Sequence, residues 1–93
     1  YSVDFSLRAY PNPFNPITVI QYTLYEKTDV ELSVYNITGQ KIITFVKGEQ
    51  ARGNYQVTWN ARDQQGNQIQ SGIYIINMET KNAPKQFKVL YLK

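Results

Sequence analysis

Residues 10–18 read Tyr-Pro-Asn-Pro-Phe-Asn-Pro-Ile-Thr, and three of the six positions from 11 to 16 are proline. Proline fixes φ, lacks an N–H and restricts the residue before it, so this segment is neither helix nor central strand. The asparagines that precede two of these prolines favour Asx turns. We therefore predict a stiff, kinked structural motif with the aromatic side chain inserted into the following domain: Pro11, Asn12, Pro13, Phe14, Asn15 and Pro16. The alternative is a proline-rich linker with no role in the fold.

Length and composition predict one β domain. The chain has 93 residues, which is enough for one domain and too few for two. Apolar residues make up 42% and charged residues 18%, which excludes a disordered charged tail. The eight tyrosines suit half-buried pleated surfaces, where a ring packs on one side and its hydroxyl meets water.

Short segments of alternating apolar and polar residues predict strands. The clearest are residues 18–24, 30–35 and 55–59, the last of which places Trp59 in the core. A strand over 41–46 has its apolar residues Ile42 and Phe45 at an odd spacing, which predicts a bulge or a twist between them, and 47–53 is predicted to be a loop. Alternation around Val3 and Phe5 predicts a first strand.

The C-terminal third holds the remaining predicted strands. Residues 73–78, which follow Ser71-Gly72, form a near-continuous apolar run and are expected to be buried on both faces. Residues 86–92 form the final strand. Seven short strands joined by short turns predict an all-β fold, an immunoglobulin-like antiparallel β-sandwich. We divide the chain into residues 1–9, a first strand or a linker from upstream, and residues 10–93, a single sandwich domain.

The composition argues against catalysis. The chain has no histidine and no cysteine, which removes the commonest general base, the commonest metal ligand and the thiolate nucleophile. Asp63, Gly66 and Asn67 come nearest to a cation-binding loop but lack the acidic density of a calcium motif, so we predict a hairpin turn there. We expect no catalytic residue, no metal site and no cofactor, and hence a protein that is not an enzyme.

Positive charge is concentrated at the C-terminal end. Residues 1–80 hold six basic and seven acidic residues, whereas residues 81–93 hold four lysines and no acid. Lysines on an edge strand discourage sheet-to-sheet aggregation, and four lysines without arginine are a weak nucleic-acid footprint. We expect no nucleic-acid partner. No apolar run reaches the ~18 residues of a bilayer-spanning helix, so we expect no membrane span.

Several motifs, taken in order over residues 10–93, resemble one known family. They are the proline segment at 10–16, then Thr18, Ile20, Tyr22 and Leu24, then Val34-Tyr35-Asn36 with Gly39, then Gly53, Trp59, Asp63 and Gly66, then Ser71-Gly72-Ile73-Tyr74, and finally Lys88-Val89-Leu90-Tyr91-Leu92-Lys93. This pattern resembles the C-terminal sorting domain of type IX secretion cargo. It is also similar to the immunoglobulin-like domain of the flagellar hook-capping protein, whose fold the sorting domains share.

The resemblance implies that the domain is a sorting signal rather than a catalyst. Sorting domains close large exported proteins and are read by the outer-membrane secretion machinery. A sortase-like peptidase often removes them. The implied partners are therefore an upstream cargo domain, that machinery and the peptidase, and the implied location is the medium or the cell surface, reached through the periplasm. We expect a monomer.

The final strand is the segment expected to be recognised. An apolar strand bounded by lysines can offer backbone and side chains to a receptor. Contacts are expected from Val89, Leu90, Tyr91 and Leu92, with Lys88 and Lys93 fixing the register. The alternative is that this strand only completes the sandwich. Trp59, Gly72 and Tyr74 complete the structural motif.

Two other functions stay open at this point. One is a passive structural module appended to a secreted enzyme. The other is a carbohydrate-binding module, which needs several coplanar aromatic rings on one face. The predicted strand phases leave only Tyr25, Tyr35 and Tyr91 facing outward for that purpose.

Overall fold

A computed structural model describes residues 5–81 and 84–93. The described residues form seven strands: β1 (Phe5–Tyr10), β2 (Thr18–Leu24), β3 (Thr28–Asn36), β4 (Lys41–Gln50), β5 (Gly53–Trp59), β6 (Gly72–Thr80) and β7 (Pro84–Tyr91). They build a three-stranded sheet in the order β1-β2-β5 and a four-stranded sheet in the order β4-β3-β6-β7. All strand pairs are antiparallel. The predicted all-β, immunoglobulin-like sandwich is confirmed.

The core lies between the sheets and follows the alternation of the strands. In β2, buried residues alternate with half-buried ones, so that Ile20, Tyr22 and Leu24 face the other sheet. In β3 the facing residues are Val30, Leu32 and Val34. The alternation of residues that predicts these two strands is therefore matched by their burial.

The first described strand, β1, is paired with β2 over its whole length. The predicted first strand overlaps β1 from Phe5 onward, and its residues 1–4, including Val3, lie outside the described residues. The boundary drawn between residues 9 and 10 falls immediately before Tyr10, the last residue of β1.

The strand β4 is longer than predicted. Residues 47–50, predicted as loop, continue β4 and pair with residues 28–31 of β3, so that prediction is wrong. They were missed because Lys47, Gly48 and Glu49 are exposed and carry no apolar alternation. The pairing shifts between Leu32 and Ser33 and again between Val34 and Tyr35. These shifts leave Phe45 and Ile42 without a direct partner, which confirms the predicted bulge.

Burial of residues 73–78 is less complete than predicted. Tyr74, Ile76 and Met78 lie in the core, whereas Ile73 is 47% exposed. The prediction of burial on both faces is wrong for Ile73 because, among the described residues, no further layer covers this end of the outer face of the four-stranded sheet.

A polar loop covers part of the outer edge of β4. The main-chain N–H of Gln64 donates to the carbonyl of Ile42, and the side-chain carbonyl of Gln64 accepts from the N–H of Thr44. Two otherwise unpaired edge groups are therefore satisfied by one residue.

Candidate functional site

The proline segment is part of the sandwich. Phe14 is 2% exposed, and its main chain forms an isolated parallel bridge with Tyr91 of β7. The hydroxyl of Thr18 donates to the carbonyl of Pro11 at 3.0 Å, which ties the start of the segment to β2. The linker interpretation is therefore wrong. The other residues of the predicted motif, namely Asn12, Pro13, Asn15 and Pro16, are exposed and form the outer surface of the segment.

Hydrogen bonds join this segment to the outer edge of β7. The N–H of Phe14 donates to the carbonyl of Leu90 at 2.9 Å, and the N–H of Leu92 donates to the carbonyl of Phe14 at 3.1 Å. Asn12 extends the pairing with its side chain, which accepts from the N–H of Leu90 and donates to the carbonyl of Lys88, both at 3.0 Å. An edge that would otherwise be open is thus covered from residue 88 to residue 92.

Four aromatic rings form a cluster beneath the segment. The ring of Phe14 lies 5.3 Å from that of Trp59 and 5.1 Å from that of Tyr91. Trp59 meets Tyr74 edge-on at 5.6 Å, and its indole N–H donates to the carbonyl of Arg62. These separations are typical of favourable aromatic pairs. Trp59 and Tyr74 are therefore core residues, and Gly72 stands at the first position of β6.

The hydroxyls of the buried tyrosines are all satisfied. Tyr74 donates to the carbonyl of Gln70 at 2.7 Å, and Tyr91 accepts from the side-chain amide of Gln68 at 3.0 Å. Burial raises the pKa of Tyr74, and the nearby Tyr91 raises it further. The cluster is therefore an apolar unit with its polar atoms directed to its rim.

The final strand divides its side chains between the core and the surface. Val89 and Tyr91 are 2% and 1% exposed, so a receptor cannot contact these two side chains in the folded domain. The prediction that both supply contacts is corrected accordingly, as is the outward orientation of Tyr91. Lys88 and Leu92 are exposed and Leu90 is half-buried on the opposite, outer side of the strand. Lys93 is exposed beyond its end.

We call the group of exposed and half-buried residues at this end of the four-stranded sheet the C-terminal patch: Ile73, Lys88, Leu90, Leu92 and Lys93. Ile73 is the cross-strand partner of Leu90, so the two side chains share the outer face of the sheet. Leu92, two residues further along, is 48% exposed. The main-chain N–H of Lys93 donates to the hydroxyl of Ser71, which holds the chain against β6 at this point.

The lysines of the four-stranded sheet differ in whether they have an acidic partner. Lys41, at the far side of the same sheet, lies 2.9 Å from the carboxylate of Glu31. This ion pair lowers the pKa of Glu31 and raises that of Lys41, in each case mainly through the hydrogen bond between them. Within residues 5–81 and 84–93, Lys88 and Lys93 form no ion pair. The patch therefore combines exposed apolar side chains with two uncompensated positive charges.

No other site stands out in the described residues. The carboxylate of Asp63 accepts from the N–H groups of Gln65 and Asn67, the geometry of the predicted turn. The described part of the chain contains no cluster of three or more potential metal ligands. Of the three tyrosines considered for carbohydrate binding, Tyr25 is exposed, Tyr35 is half-buried and Tyr91 is buried, so they do not form a platform. No helix within the described ranges has the length and apolar character needed to cross a membrane.

Solved structures share the fold of this chain at low sequence identity. The chain aligns over 94% of its length with PorZ of Porphyromonas gingivalis, described as an essential bacterial surface component of the type IX secretion system, with a TM-score of 0.65 and 20% identity. It aligns over 95% with dimeric latent PorU of the same organism, with a TM-score of 0.75 and 14% identity. The chain spans only 11% and 9% of those two proteins.

A third similar structure is FlgD of P. aeruginosa. It matches 95% of this chain with a TM-score of 0.61 and 21% identity, and the match covers 64% of that protein. No curated protein sequence matches the chain significantly. The family model of the FlgD Ig-like domain matches residues 16–84, which include the five complete strands from β2 to β6 and only the first residue of β7. On that match, the chain belongs to the FlgD Ig-like domain family.

Proposed function

We propose that this domain is a sorting signal that directs a cargo protein through the type IX secretion system to the cell surface or the medium. The proposal rests on one observation: two motifs that are far apart in the sequence are hydrogen-bonded to each other in the fold. The proline segment and the lysine-bounded final strand, which carry the sequence resemblance, are bonded to each other through Asn12 and Phe14. The fold shared with PorZ supports the same reading.

The C-terminal patch is the surface through which this signal is read. Asn12 and Phe14 occupy the edge of β7 between residues 88 and 92, so a receptor that reads this end meets side chains rather than free edge groups. Leu90 and Leu92 offer apolar contact, while Lys88 and Lys93 orient the partner by charge. The matching surface on the outer-membrane machinery is an apolar recess with acidic residues at its rim.

The proline segment has a positioning role in this proposal. It pairs with the outer edge of β7, whose other edge pairs with β6, so that the patch residues of β7 are presented at a fixed spacing. Presentation on a rigid strand lowers the entropic cost of binding. In this proposal the domain has no catalytic role. A sortase-like peptidase and an upstream cargo domain are its other proposed partners.

Export of a reporter tests the proposal. The chain is fused to the C-terminus of a periplasm-directed fluorescent protein in a host with a type IX system. We expect fluorescence in the medium or at the cell surface, and retention in the periplasm when the secretion system is deleted. A folded fusion that stays periplasmic in the intact host would contradict the sorting role.

A passive structural module is the second candidate function. The observation in its favour is that both edges of the four-stranded sheet are partly covered, β4 by Gln64 at Ile42 and Thr44 and β7 by Asn12 with Phe14 at residues 88–92. Main-chain groups that are already hydrogen-bonded at an edge are not available to pair with another sheet, which suits a spacer in a larger protein. The export assay separates the two candidates, because a spacer fused to the reporter leaves it in the periplasm.

A further inference from the structure

The four edge strands of the sandwich are protected unequally. In the four-stranded sheet, β7 is covered from residue 88 to residue 92 and β4 at Ile42 and Thr44 by main-chain and side-chain hydrogen bonds. The three-stranded sheet has β1 and β5 at its edges. In the described ranges, no residue hydrogen-bonds to the main-chain groups along the outer edge of β5. An uncovered edge presents a row of unpaired donors and acceptors to any other strand.

The sequence of β5 contains none of the features that usually block such an edge. It reads Gly-Asn-Tyr-Gln-Val-Thr-Trp, with no charged residue and no proline over seven positions. Its pairing with β2 is regular and free of bulges. The other open edge, β1, carries Arg8 and is followed directly by Pro11. By these criteria β5 is the edge most ready to accept a strand.

We infer that β5 pairs in an antiparallel manner with β5 of a second copy of this chain, about a two-fold axis at Gln56, so that the chain forms a dimer instead of the monomer expected from the sequence. A second copy fits this edge because an uncharged strand offers no complement to a charged peptide, whereas it is complementary to itself. The register places Tyr55 opposite Val57 of the other copy, and Val57 opposite its Tyr55. Aromatic and β-branched residues are a favourable cross-strand pair, and an isologous contact of this kind closes after two copies.

Side chains on the outer face of the three-stranded sheet support this register. Arg8 donates to the side-chain carbonyl of Gln21 at 2.9 Å, and Gln21 donates to that of Gln56 at 3.3 Å. These residues stand in one row across β1, β2 and β5. With Gln56 on the two-fold axis, the amide row continues across the junction into the second copy.

Tyr55 and Val57, which are half-buried in the single chain, lose their remaining exposed edges.

This dimer leaves the C-terminal patch free. The patch lies on the outer face of the four-stranded sheet, and the junction extends the three-stranded sheet to six strands. The inference is therefore independent of the proposed sorting role. A dimer would present two copies of the patch.

Substitutions that place a charge on the two-fold axis test this arrangement. Their effect is measured by sedimentation equilibrium of the chain from micromolar to millimolar concentration. We expect a reversible monomer–dimer equilibrium in the parent. Gln56→Lys sets two like charges opposite each other and should raise the dimer dissociation constant roughly fivefold or more, and Gln56→Glu should do the same. An equimolar mixture of the two variants should dimerise at least as tightly as the parent. Ser6→Lys, which adds the same charge on the same face but on β1, should leave the dissociation constant unchanged.

Hydrogen exchange locates the contact directly. Main-chain amides of β5 should exchange more slowly at high protein concentration, while those of β1 should not change. A parent chain that stays monomeric through millimolar concentration overturns the inference. The inference is also overturned if Gln56→Lys dimerises as tightly as the parent, or if the mixture of Gln56→Lys and Gln56→Glu dimerises no more tightly than either variant alone. Slower amide exchange in β1 instead of β5 would overturn it as well. The side chain of Gln56 is exposed, so neither substitution at this position removes core contacts.

Discussion

Phe14 lies beside Tyr91 through both its main chain and its ring. The two residues form a parallel bridge, flanked by hydrogen bonds to Leu90 and Leu92, and their ring centroids are 5.1 Å apart. One aromatic residue of the proline segment therefore acts as a short additional strand and as a core side chain at once. The segment's contribution to stability follows from this double contact.

Replacement of Phe14 measures the core contribution. Phe14→Ala leaves a cavity between Trp59 and Tyr91, and we expect a loss of about 3 to 5 kcal/mol of unfolding free energy. Urea denaturation followed by Trp59 fluorescence gives the value. Ile17→Ala, an exposed apolar position immediately after the segment, is the matched control and should change stability by less than about 0.5 kcal/mol. Equal midpoints for the two variants would show that Phe14 does not occupy the core.

Replacement of Asn12 measures the edge pairing. Asn12→Ala removes the two side-chain hydrogen bonds to the main chain of β7, and we expect a loss of about 1 to 2 kcal/mol. The amide of Leu90 should also exchange its hydrogen faster, because its acceptor is gone. Asn15→Ala is the control, since Asn15 also precedes a proline and its side chain has no hydrogen bond with any described residue. An unchanged exchange rate at Leu90 would argue against the pairing.

Changes in the C-terminal patch separate recognition from stability. The double variant Leu92→Ser with Lys93→Ala alters exposed side chains and keeps the main-chain hydrogen bond from Lys93 to Ser71. We expect export of the reporter fusion to fall severalfold while the melting temperature stays nearly unchanged. Tyr25→Ser, an exposed aromatic position in the turn after β2, should affect neither quantity. Normal export of the double variant would place recognition on another surface.

Titration of Tyr74 sets an alkaline limit to stability. Burial raises the pKa of Tyr74 above its ordinary value of 10.0, so the folded protein holds this proton more tightly than the unfolded chain. The stability associated with the neutral phenol is thus fully present below pH 10.0 and is lost as the pH rises through the folded pKa.

Tyr74→Phe provides the corresponding measurement. At neutral pH this variant should lose about 1 kcal/mol with the hydrogen bond to Gln70. Above pH 10 its stability should fall less steeply than that of the parent, because the variant has no phenol to ionise at this buried position. Parallel curves for Tyr74→Phe and the parent would show that this hydroxyl does not resist ionisation in the fold.

The sequence predicted the strands well where apolar and polar residues alternate, as around Ile20 and Val57. It also predicted the insertion of Phe14, because a single aromatic residue in a rigid proline frame has no other reason to be apolar. The polar end of β4 was missed, since an edge strand that is exposed at Lys47 and Glu49 has no periodic signal.

The final strand shows where the pattern is ambiguous. Residues 89–92 are all apolar, so alternation alone cannot say which of them face inward. Lys88 resolves this ambiguity, because a lysine faces outward and alternate residues of a strand share one face. Leu90 and Leu92 therefore lie on the side of Lys88, and Val89 and Tyr91 lie in the core. The pairings of Asn12 with β7 and of Gln64 with β4 carry no local signal. Each depends on which distant edge the fold brings to a polar side chain.

The hydrogen bond between the side chain of Asn12 and the N–H of Leu90 joins residues separated by 78 positions. The aromatic cluster therefore stays open until nearly the whole domain has been synthesised, and early in translation Phe14 has no strand beside it. Such distant pairing makes folding slow compared with that of domains built from local contacts. A chain that leaves the ribosome thus passes through an interval in which its final strand is accessible as an extended peptide, and the rate of closure sets how long that interval lasts.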